Sequence, residues 1–453
     1  MGLMERLDKQ KTAQTNDSNS EEQFSSNTGK KPNYDEYVEL KESLHTEIIE
    51  LMDQEMENQS VTSGNQDEYI LKLIERVLES KSVSVNRKDR AGLIKEVYNN
   101  IVGLGPLEPL LDDTEISEIM VNGPYQVYVE RRGKLELSGT KFKDDAHVMN
   151  VINRIVSSVG RHIDKASPMV DARLADGSRF NAIIPPLALN GPTVTIRKFS
   201  KNPLTVGDLV RFNSVSPKMM SFLEACVKGK LNIIVSGGTG SGKTTLLNIL
   251  SGYIPNTDRI VTIEDAAELQ LRQNHVVTLE SRPANIEGSG QVTIRNLVVN
   301  SLRMRPDRII VGEVRSAETL DMLQAMNTGH EGSMTTAHAN SPRELITRLE
   351  TMVLMAGMEI PVKAIREQVS AAINIIVHQS RLRDGARKIV NVTEIVGMEG
   401  DKILLQDIFV FKEEGVDITG MLKGKFLSTG IRPKSLDKII ASGILVQDSW
   451  FQN

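Results

Sequence analysis

The chain has 453 residues, 40% of them hydrophobic and 25% charged, which is typical of a globular protein with two or three domains. Its 54 basic and 59 acidic residues give a formal net charge of -5, so the composition argues against extensive nucleic-acid binding. The single cysteine, Cys226, excludes an internal disulfide and a zinc site built on cysteines.

The first 90 residues are predicted to be an appendage to the rest of the chain. Residues 1–33 are rich in small polar and charged residues, which indicates a disordered tail, and their start has no apolar signal segment. Apolar residues at helical spacing within 34–90 predict a helical appendage with a linker at 60–66. No stretch of the chain is both long and apolar enough to cross a membrane. We therefore expect a cytoplasmic protein that reaches a membrane only through partners.

Residues 91–200 are predicted to form a small α+β domain. Short alternating runs separated by Asn-Gly and Asp-Gly pairs indicate β-hairpins. Apolar residues at helical spacing in 148–156 predict a helix among them. A link at 201–208, which contains Pro203, separates this domain from the remainder of the chain.

Residues 209–453 alternate between helical patterns and short apolar runs, which predicts an α/β domain with a mostly parallel sheet. The apolar run at 231–235 is followed by a glycine-rich loop and then by a helix. The predicted phosphate-binding residues are Gly237, Gly238, Thr239, Gly240, Ser241, Gly242, Lys243, Thr244 and Thr245.

This loop matches the pattern G-x-x-x-x-G-K-[ST] in its required place between a strand and a helix. Its glycines allow backbone N–H groups to turn toward a phosphate, and the helix N-terminus adds partial positive charge. Lys243 can reach the β- and γ-phosphates, and the Thr244 hydroxyl can bind Mg²⁺. We therefore predict ATP and Mg²⁺ as ligands. The alternative is an ordinary glycine-rich turn between a strand and a helix.

Two further apolar runs end in carboxylates. ATP hydrolysis requires one group that orients the attacking water and another that holds the metal ion, and carboxylates can serve as both. The run at 260–263 precedes Glu264 and Asp265, and the run at 308–312 precedes Glu313. We predict that Glu313 polarises the attacking water and that Glu264 lies near Mg²⁺ or that water, whereas Asp265 fixes the local backbone. A solvated strand end is the alternative for either glutamate.

Two histidines and two arginines complete the predicted site. His330 and His338 are eight residues apart, which is not the spacing of a helical metal pair, and their Gly-, Ser- and Thr-rich surroundings favour sensing of the γ-phosphate over metal binding. Arg179 and Arg197 lie in strand-like runs of the smaller domain, from which they could reach the γ-phosphate when the domains close. Structural roles remain the alternative for all four residues.

Together, these motifs resemble those of the type II and type IV secretion ATPases. The four matching segments, in the order Walker A, Asp box, Walker B and His box, are 237–244, 262–265, 302–315 and 329–340. Within this superfamily, the segments 105–110, 116–121 and 168–198 resemble the CpaF/TadA branch, which assembles tight-adherence (Flp-type) pili.

The resemblance implies a homo-hexameric ring in which nucleotide binds between a smaller α+β (PAS-like) N-terminal domain and a RecA-like P-loop C-terminal domain. Arg179 and Arg197 match positions at which the family's N-terminal domain reaches the nucleotide, and Glu264, Glu313, His330 and His338 match the named boxes. The implied partners are platform proteins of the inner membrane, with no direct nucleic-acid contact. The four-cysteine zinc module of the type II branch is absent, which favours the other branches.

The expected function is therefore that of a hexameric ATPase that powers pilus assembly or protein secretion across the inner membrane. A conjugation-type (type IV secretion) ATPase for DNA or effector transfer has the same boxes and is the first alternative. A scaffold that binds nucleotide without hydrolysing it is the second, although Lys243, Glu264 and Glu313 argue against it. A nucleic-acid motor is disfavoured because the net charge is negative and the sequence has no basic stretch interspersed with aromatic residues.

Overall fold

The computed structural model describes residues 37–57, 66–81, 85–131, 133–199, 203–284, 289–416 and 422–452. The chain divides into two compact units, Met1–Pro106 and Leu107–Asn453. The tail predicted at 1–33 and most of the linker predicted at 60–66 lie outside the described residues. No helix in the part of the chain that the structure describes is long and apolar enough to cross a membrane.

The described part of the first unit is built from helices α1 (Val38–Glu57), α2 (Gln66–Ser80) and α3 (Arg87–Ile101). Its core contains apolar side chains from each helix, including Leu44, Ile48, Leu73, Ile74, Leu93 and Val97. The assignment of residues 91–101 to the α+β domain was wrong, because Leu93 and Val97 of α3 are buried against the other two helices.

The second unit begins with a sheet whose neighbouring strands are all antiparallel. In the described residues the strand order is β3-β2-β1-β6-β5-β4. The elements are α4 (Glu108–Asp112), β1 (Ile116–Asn122), β2 (Val127–Arg131), β3 (Lys134–Leu137), α5 (Asp145–Ser158), β4 (Met169–Arg173), β5 (Arg179–Ile183) and β6 (Thr193–Arg197). Helix α5 buries an apolar stripe that includes Val148, Ile152 and Ile155.

The connection to the larger sheet is partly helical. Helix α6 (Val206–Arg211) starts with a capping box, in which the Thr205 side chain accepts from the Asp208 N–H and the Asp208 side chain accepts from the Thr205 N–H. The link predicted at 201–208 therefore ends inside a helix, because this reciprocal cap starts the helix at Val206. Helix α7 (Pro217–Lys228) comes next and buries Cys226, whose pKa is raised by burial.

The larger sheet has the order β15-β14-β13-β12-β7-β11-β10-β8-β9 over the described residues. The strands are β7 (Ile233–Gly237), β8 (Ile260–Glu264), β9 (Val276–Glu280), β10 (Arg308–Val314), β11 (Met334–His338), β12 (Ile375–Arg381), β13 (Arg387–Glu399), β14 (Lys402–Val416) and β15 (Leu422–Ser428). The helices are α8 (Lys243–Ser251), α9 (Ile294–Ser301), α10 (Glu318–Asn327), α11 (Pro342–Leu354), α12 (Val362–Ala372) and α13 (Leu436–Ala441), with a 3₁₀ turn at Asp448–Phe451.

Strands β12, β7, β11, β10, β8 and β9 are parallel, whereas β13, β14 and β15 extend the sheet in antiparallel fashion. Every residue of β7 and of β8 is buried, as expected for parallel strands covered on both faces. The predicted α/β class with a parallel P-loop sheet is confirmed. Because the strands are parallel, β7, β8, β10 and β11 all end at the same edge of the sheet, where ligands bind in such folds.

Asn232 stands just before β7 and is 3% exposed. Its side-chain amide donates to the carbonyls of Met326 (3.3 Å) and Ala372 (2.6 Å). Its side-chain oxygen accepts from the backbone N–H groups of Gly332 (2.8 Å) and Ser333 (3.1 Å). One buried side chain therefore joins α10, α12 and the segment before β11 to the start of the P-loop strand.

Candidate nucleotide site

The glycine-rich loop connects β7 directly to α8. Gly240 (φ 69°) and Gly242 (φ 95°) adopt the left-handed conformation that glycine enters without steric cost. Gly242 is the residue before α8, so the loop ends at a helix N-terminus, where free N–H groups and the helix dipole favour a phosphate.

Gly237 is fixed by the neighbouring strand. It pairs with Gln379 of β12, and a Cβ atom at position 237 would lie 2.1 Å from the Gln379 carbonyl oxygen. No side chain can occupy that position unless β12 moves, so the loop begins where β7 and β12 leave room only for glycine. The Ser241 hydroxyl is also buried, without a hydrogen-bond partner among the described residues.

Lys243 lies at the first position of α8, and its Nζ donates to the Gly238 carbonyl at 3.1 Å. Burial lowers the pKa of this ammonium, Glu313 raises it and Arg315 lowers it further. The ammonium therefore lies near Glu313 and points back into its own loop, where it can bind a phosphate oxygen.

Glu264 ends β8 and is 3% exposed. Its Oε2 accepts from the backbone N–H groups of Glu268 (2.8 Å) and Leu269 (3.1 Å). Burial raises the pKa of this carboxyl to about 7, and the two N–H groups oppose that rise. Gly312 of β10 provides the space for it, since a Cβ atom there would lie 2.9 Å from Glu264 Cγ.

Glu313 lies in β10 and pairs with an arginine two residues later. Arg315 donates to Glu313 Oε2 from Nη2 (2.5 Å) and from Nε (2.9 Å). The same guanidinium reaches Asp265 Oδ2 through Nη1 at 3.4 Å. Arg315 therefore connects the two acidic strand ends, and a pair with two donor nitrogens holds the Glu313 carboxylate in a defined orientation.

The two predicted histidines lie far apart. His338 is the last residue of β11 and lines the same cleft as Lys243. Burial lowers its pKa, and the nearby Lys243 and Arg348 lower it further, so the imidazole tends to be neutral. His330 precedes β11, and a five-residue strand of about 3.3 Å per residue separates it from His338. The structure does not bring His330 into the cleft, and its γ-phosphate role stays a prediction.

The smaller domain contributes both predicted arginines to the cleft. Arg179 donates from Nη2 to the Ala266 carbonyl (3.1 Å) and pairs with Glu268 Oε1 (3.3 Å), so it contacts the segment after β8. Arg197 donates from Nε to Glu118 Oε1 of its own domain at 2.6 Å. One arginine therefore already contacts the P-loop domain, whereas the other is paired within the smaller one.

These residues meet in one cleft of about 1330 Å³, larger than the typical small-molecule pocket. Of the residues predicted from the sequence, its lining includes Arg179, Arg197, Thr239, Gly240, Gly242, Lys243, Thr244, Thr245, Glu264, Glu313 and His338. Gly237, Gly238 and Ser241 complete the loop without being part of that lining. The cleft thus joins the phosphate loop, both acidic strand ends and the two arginines.

The donor set is compatible with Mg²⁺. Thr244 and Glu264 offer a hydroxyl and a carboxylate, and oxygen ligands are those that Mg²⁺ prefers. Within the described ranges, no three His, Cys, Asp or Glu side chains form a ready-made metal site, so phosphate and water oxygens would supply the remaining ligands. When bound, the ion would neutralise charge on the phosphate oxygens.

Sequence reasoning missed several residues of the cleft, namely Arg315, Arg348, Gln379, Arg381 and Arg387. Arg315 could have been found, because it stands two residues after Glu313 within the Walker B segment. The others come from elements far along the chain, and no local pattern connects them with the phosphate loop.

The fold and the cleft define a P-loop protein, and the sequence identifies its family. Residues 100–417 match the family described as "Type II/IV secretion system protein", so the chain belongs to that family. It is therefore a member of the family of secretion ATPases, and the resemblance inferred from the four boxes is confirmed at that level.

Relatives from several bacteria are similar over most of their length. The conjugal transfer protein TrbB of Rhizobium radiobacter is 33% identical over 295 residues, which cover 64% of this chain and 86% of that protein. The type IV secretion system protein VirB11 of Brucella abortus (strain 2308) is 34% identical over 302 residues, which cover 61% and 83%. The VirB11 ATPase of Brucella suis, known from a crystal structure, is 31% identical in sequence. Its structure matches with a TM-score of 0.36 over 64% of this chain and 95% of that one.

Proposed function

We propose that this protein hydrolyses ATP and uses the energy to drive a type II/IV secretion or pilus-assembly machine. The observation that carries the proposal is the shared cleft, in which Lys243, Glu264, Glu313 and the two arginines of the smaller domain face one volume. Family membership supports the same activity.

In the proposed reaction the phosphates of ATP lie along the loop, held by backbone N–H groups and by Lys243. Glu313 orients a water molecule and takes its proton as the water oxygen bonds to the γ-phosphorus. The bond from that phosphorus to the β–γ bridging oxygen breaks, and ADP keeps the bonding electrons. Thr244 and Glu264 would hold Mg²⁺ during this step.

The arginines of the smaller domain give this reaction a route to movement. Arg179 already contacts the segment after Glu264, and closure would bring Arg197 to the γ-phosphate once its bond to Glu118 opens. Loss of phosphate removes the anion that both arginines bind, so the closed arrangement loses part of its stabilisation. We propose that a homo-hexameric ring passes this motion to platform proteins at the inner membrane, with the protein remaining cytoplasmic.

Two branches of the family are candidates for the machine. The CpaF/TadA branch of pilus assembly is supported by the segments 105–110, 116–121 and 168–198 and by the N-terminal 90 residues, because conjugation-type enzymes are typically shorter. The conjugation-type branch is favoured by the names of the relatives TrbB and VirB11. Neighbouring genes separate them, since pilin and platform genes support the first and relaxase and channel genes support the second.

The test is Mg²⁺-dependent phosphate release by the wild type and by Lys243→Ala, with molecular mass from light scattering. The wild type should release phosphate and the variant should not, because the lysine that binds the phosphates is lost. Lys228→Ala is the matched control, since Lys228 pairs with Glu224 outside the cleft and its loss should leave turnover unchanged. Nucleotide binding without turnover in a hexamer-sized species would instead support the scaffold alternative.

A further inference from the structure

The hairpin between β12 and β13 lies against the phosphate loop. Its position is set by β12, in which Gln379 pairs with Gly237 at the start of the loop. The turn is held by its own bonds, because Leu382 N–H donates to the Ala386 carbonyl (2.7 Å) and Asp384 accepts from the Ala386 N–H (3.0 Å).

The hairpin places two arginines directly opposite each other. Arg381 and Arg387 are cross-strand partners in the antiparallel pairing of β12 with β13, and both line the cleft. Like charges in directly opposite positions destabilise a sheet. Arg381 donates from Nη2 to the Gly133 carbonyl (3.2 Å), but among the described residues neither arginine forms an ion pair with a carboxylate. The arrangement becomes favourable when an anion lies between or beside the two guanidinium groups.

Arg387 also contacts the phosphate loop itself. Its Nε donates to the Gly240 carbonyl at 2.8 Å, and its Cδ lies 3.4 Å from where a Cβ of Gly242 would stand. The terminal nitrogens of Arg387 have no hydrogen-bond partner within the described ranges. The guanidinium therefore uses one N–H group on the loop and keeps four N–H bonds for a ligand.

This bond has a consequence for phosphate binding. A phosphate loop works because its N–H groups face the anion, and a carbonyl oxygen turned toward the anion would repel it. The Gly240 carbonyl is fixed by Arg387, so it cannot turn toward the phosphate while the bond lasts. The guanidinium adds positive charge from an element outside the smaller domain, which supplies Arg179 and Arg197.

We propose that Arg387 is a nucleotide-binding residue that positions Gly240 through Nε and donates to a phosphate of the bound nucleotide through its terminal nitrogens, with Arg381 supporting the same anion. The inference rests on the proposed nucleotide binding at Lys243. The proposed contact comes from Arg387 of β13, which belongs neither to the phosphate loop nor to the smaller domain.

The test measures equilibrium binding of a fluorescent ATP analogue to the full-length protein and its variants. Arg387→Ala should weaken binding about 10- to 100-fold, as expected for the loss of hydrogen bonds to a charged group. Arg387→Lys should recover only part of the loss, because an ammonium cannot hold the Gly240 carbonyl and a phosphate in the same fork geometry. The Arg387→Lys variant also provides the test if Arg387→Ala does not fold.

Two further variants separate the possible outcomes. Arg383→Ala is the matched control, since Arg383 lies in the same turn, is exposed and is not part of the cleft lining. It should bind the analogue like the wild type. Lys243→Ala tests the proposed function, which fails if that variant binds as tightly as the wild type. If Lys243→Ala loses binding while Arg387→Ala and Arg387→Lys bind like Arg383→Ala, the role of Arg387 is overturned.

Discussion

The acidic ends of β8 and β10 have the same local sequence pattern and very different surroundings. Glu264 is buried and bound to backbone N–H groups, and its pKa is about 7. The Glu313 side chain is 23% exposed and is held by the Arg315 guanidinium. The residues that follow each glutamate cause this difference. After Glu264 the chain turns back, so that backbone N–H groups reach the carboxyl, whereas Arg315 follows Glu313 and binds it through its side chain. Two carboxylates in such different environments are suited to different roles.

The largest effect is expected from Glu313→Gln. If this carboxylate takes the proton of the attacking water, its loss should lower phosphate release about 10³-fold, within the range for general bases. Nucleotide binding should be retained, because an amide keeps the size of the side chain. Steady-state phosphate release and analogue binding measure the two properties. Glu331→Gln is the control, since Glu331 pairs with Lys438 outside the cleft, and equal rates in both variants would contradict the assignment.

A second prediction concerns the dependence of stability on pH at Glu264. Its pKa is about 4.5 in an unfolded chain and about 7 in the fold, so the folded state holds the proton more tightly. The stabilisation is fully present below about pH 4.5 and is lost as the pH rises toward 7, a change on the order of 3 kcal/mol.

Thermal unfolding at pH 5 and pH 8, without nucleotide or Mg²⁺, measures this contribution. The wild type should lose more stability over this interval than Glu264→Gln, which is neutral at both values. All other titrating groups are shared and cancel in the comparison. An equal loss in the two proteins would show that Glu264 is already ionised at pH 5.

Arg315→Gln should have a smaller effect on turnover. The arginine orients the Glu313 carboxylate without contacting the substrate in the proposed reaction, so we expect turnover to fall about tenfold while nucleotide affinity is retained. A fall in affinity with unchanged turnover would instead indicate that Arg315 binds the nucleotide. Arg303→Gln, an exposed arginine that is not part of the cleft lining, serves as the control.

The smallest effect is expected from Asp265→Asn. Asp265 is 48% exposed and lies 3.4 Å from an arginine that keeps its main bonds to Glu313. Exposed pairs of this kind contribute about 0–1 kcal/mol, so turnover should change by less than about fivefold. A loss as large as that of Glu313→Gln would mean that the first acidic strand end is needed for the chemistry as well as the second.

Much of the candidate site could be predicted because its residues are contiguous in the sequence. The phosphate loop is one uninterrupted motif, and both glutamates end apolar runs that had to be buried strands. The domain boundary was less predictable. Residues 91–101 form a helix, but only its burial against α1 and α2 shows where it belongs. The Gly-Leu-Gly-Pro sequence of residues 103–106 coincides better with the boundary, since the first unit ends at Pro106.

The remaining residues depend on strand order, which the sequence does not specify. Arg387 and Arg381 reach the loop only because β12 lies directly beside β7, although about 140 residues separate the two strands. The separation of His330 from the cleft that His338 lines has a related reason. Residues 334–338 form strand β11. His330 precedes this strand and His338 ends it, so the two histidines lie toward opposite edges of the sheet.

The Asn232 side chain has a consequence for how the molecule opens. Its bonds reach Met326, Ala372, Gly332 and Ser333, and each broken bond would leave a buried polar group unsatisfied at a cost of about 1–3 kcal/mol. The start of β7 therefore cannot separate from α10, α12 or β11 one at a time. In amide hydrogen exchange, these segments should open as one cooperative unit and exchange slowly. The phosphate loop is thus anchored to a part of its domain that we expect to open slowly, and we expect any movement that accompanies nucleotide binding to lie mainly in the smaller domain.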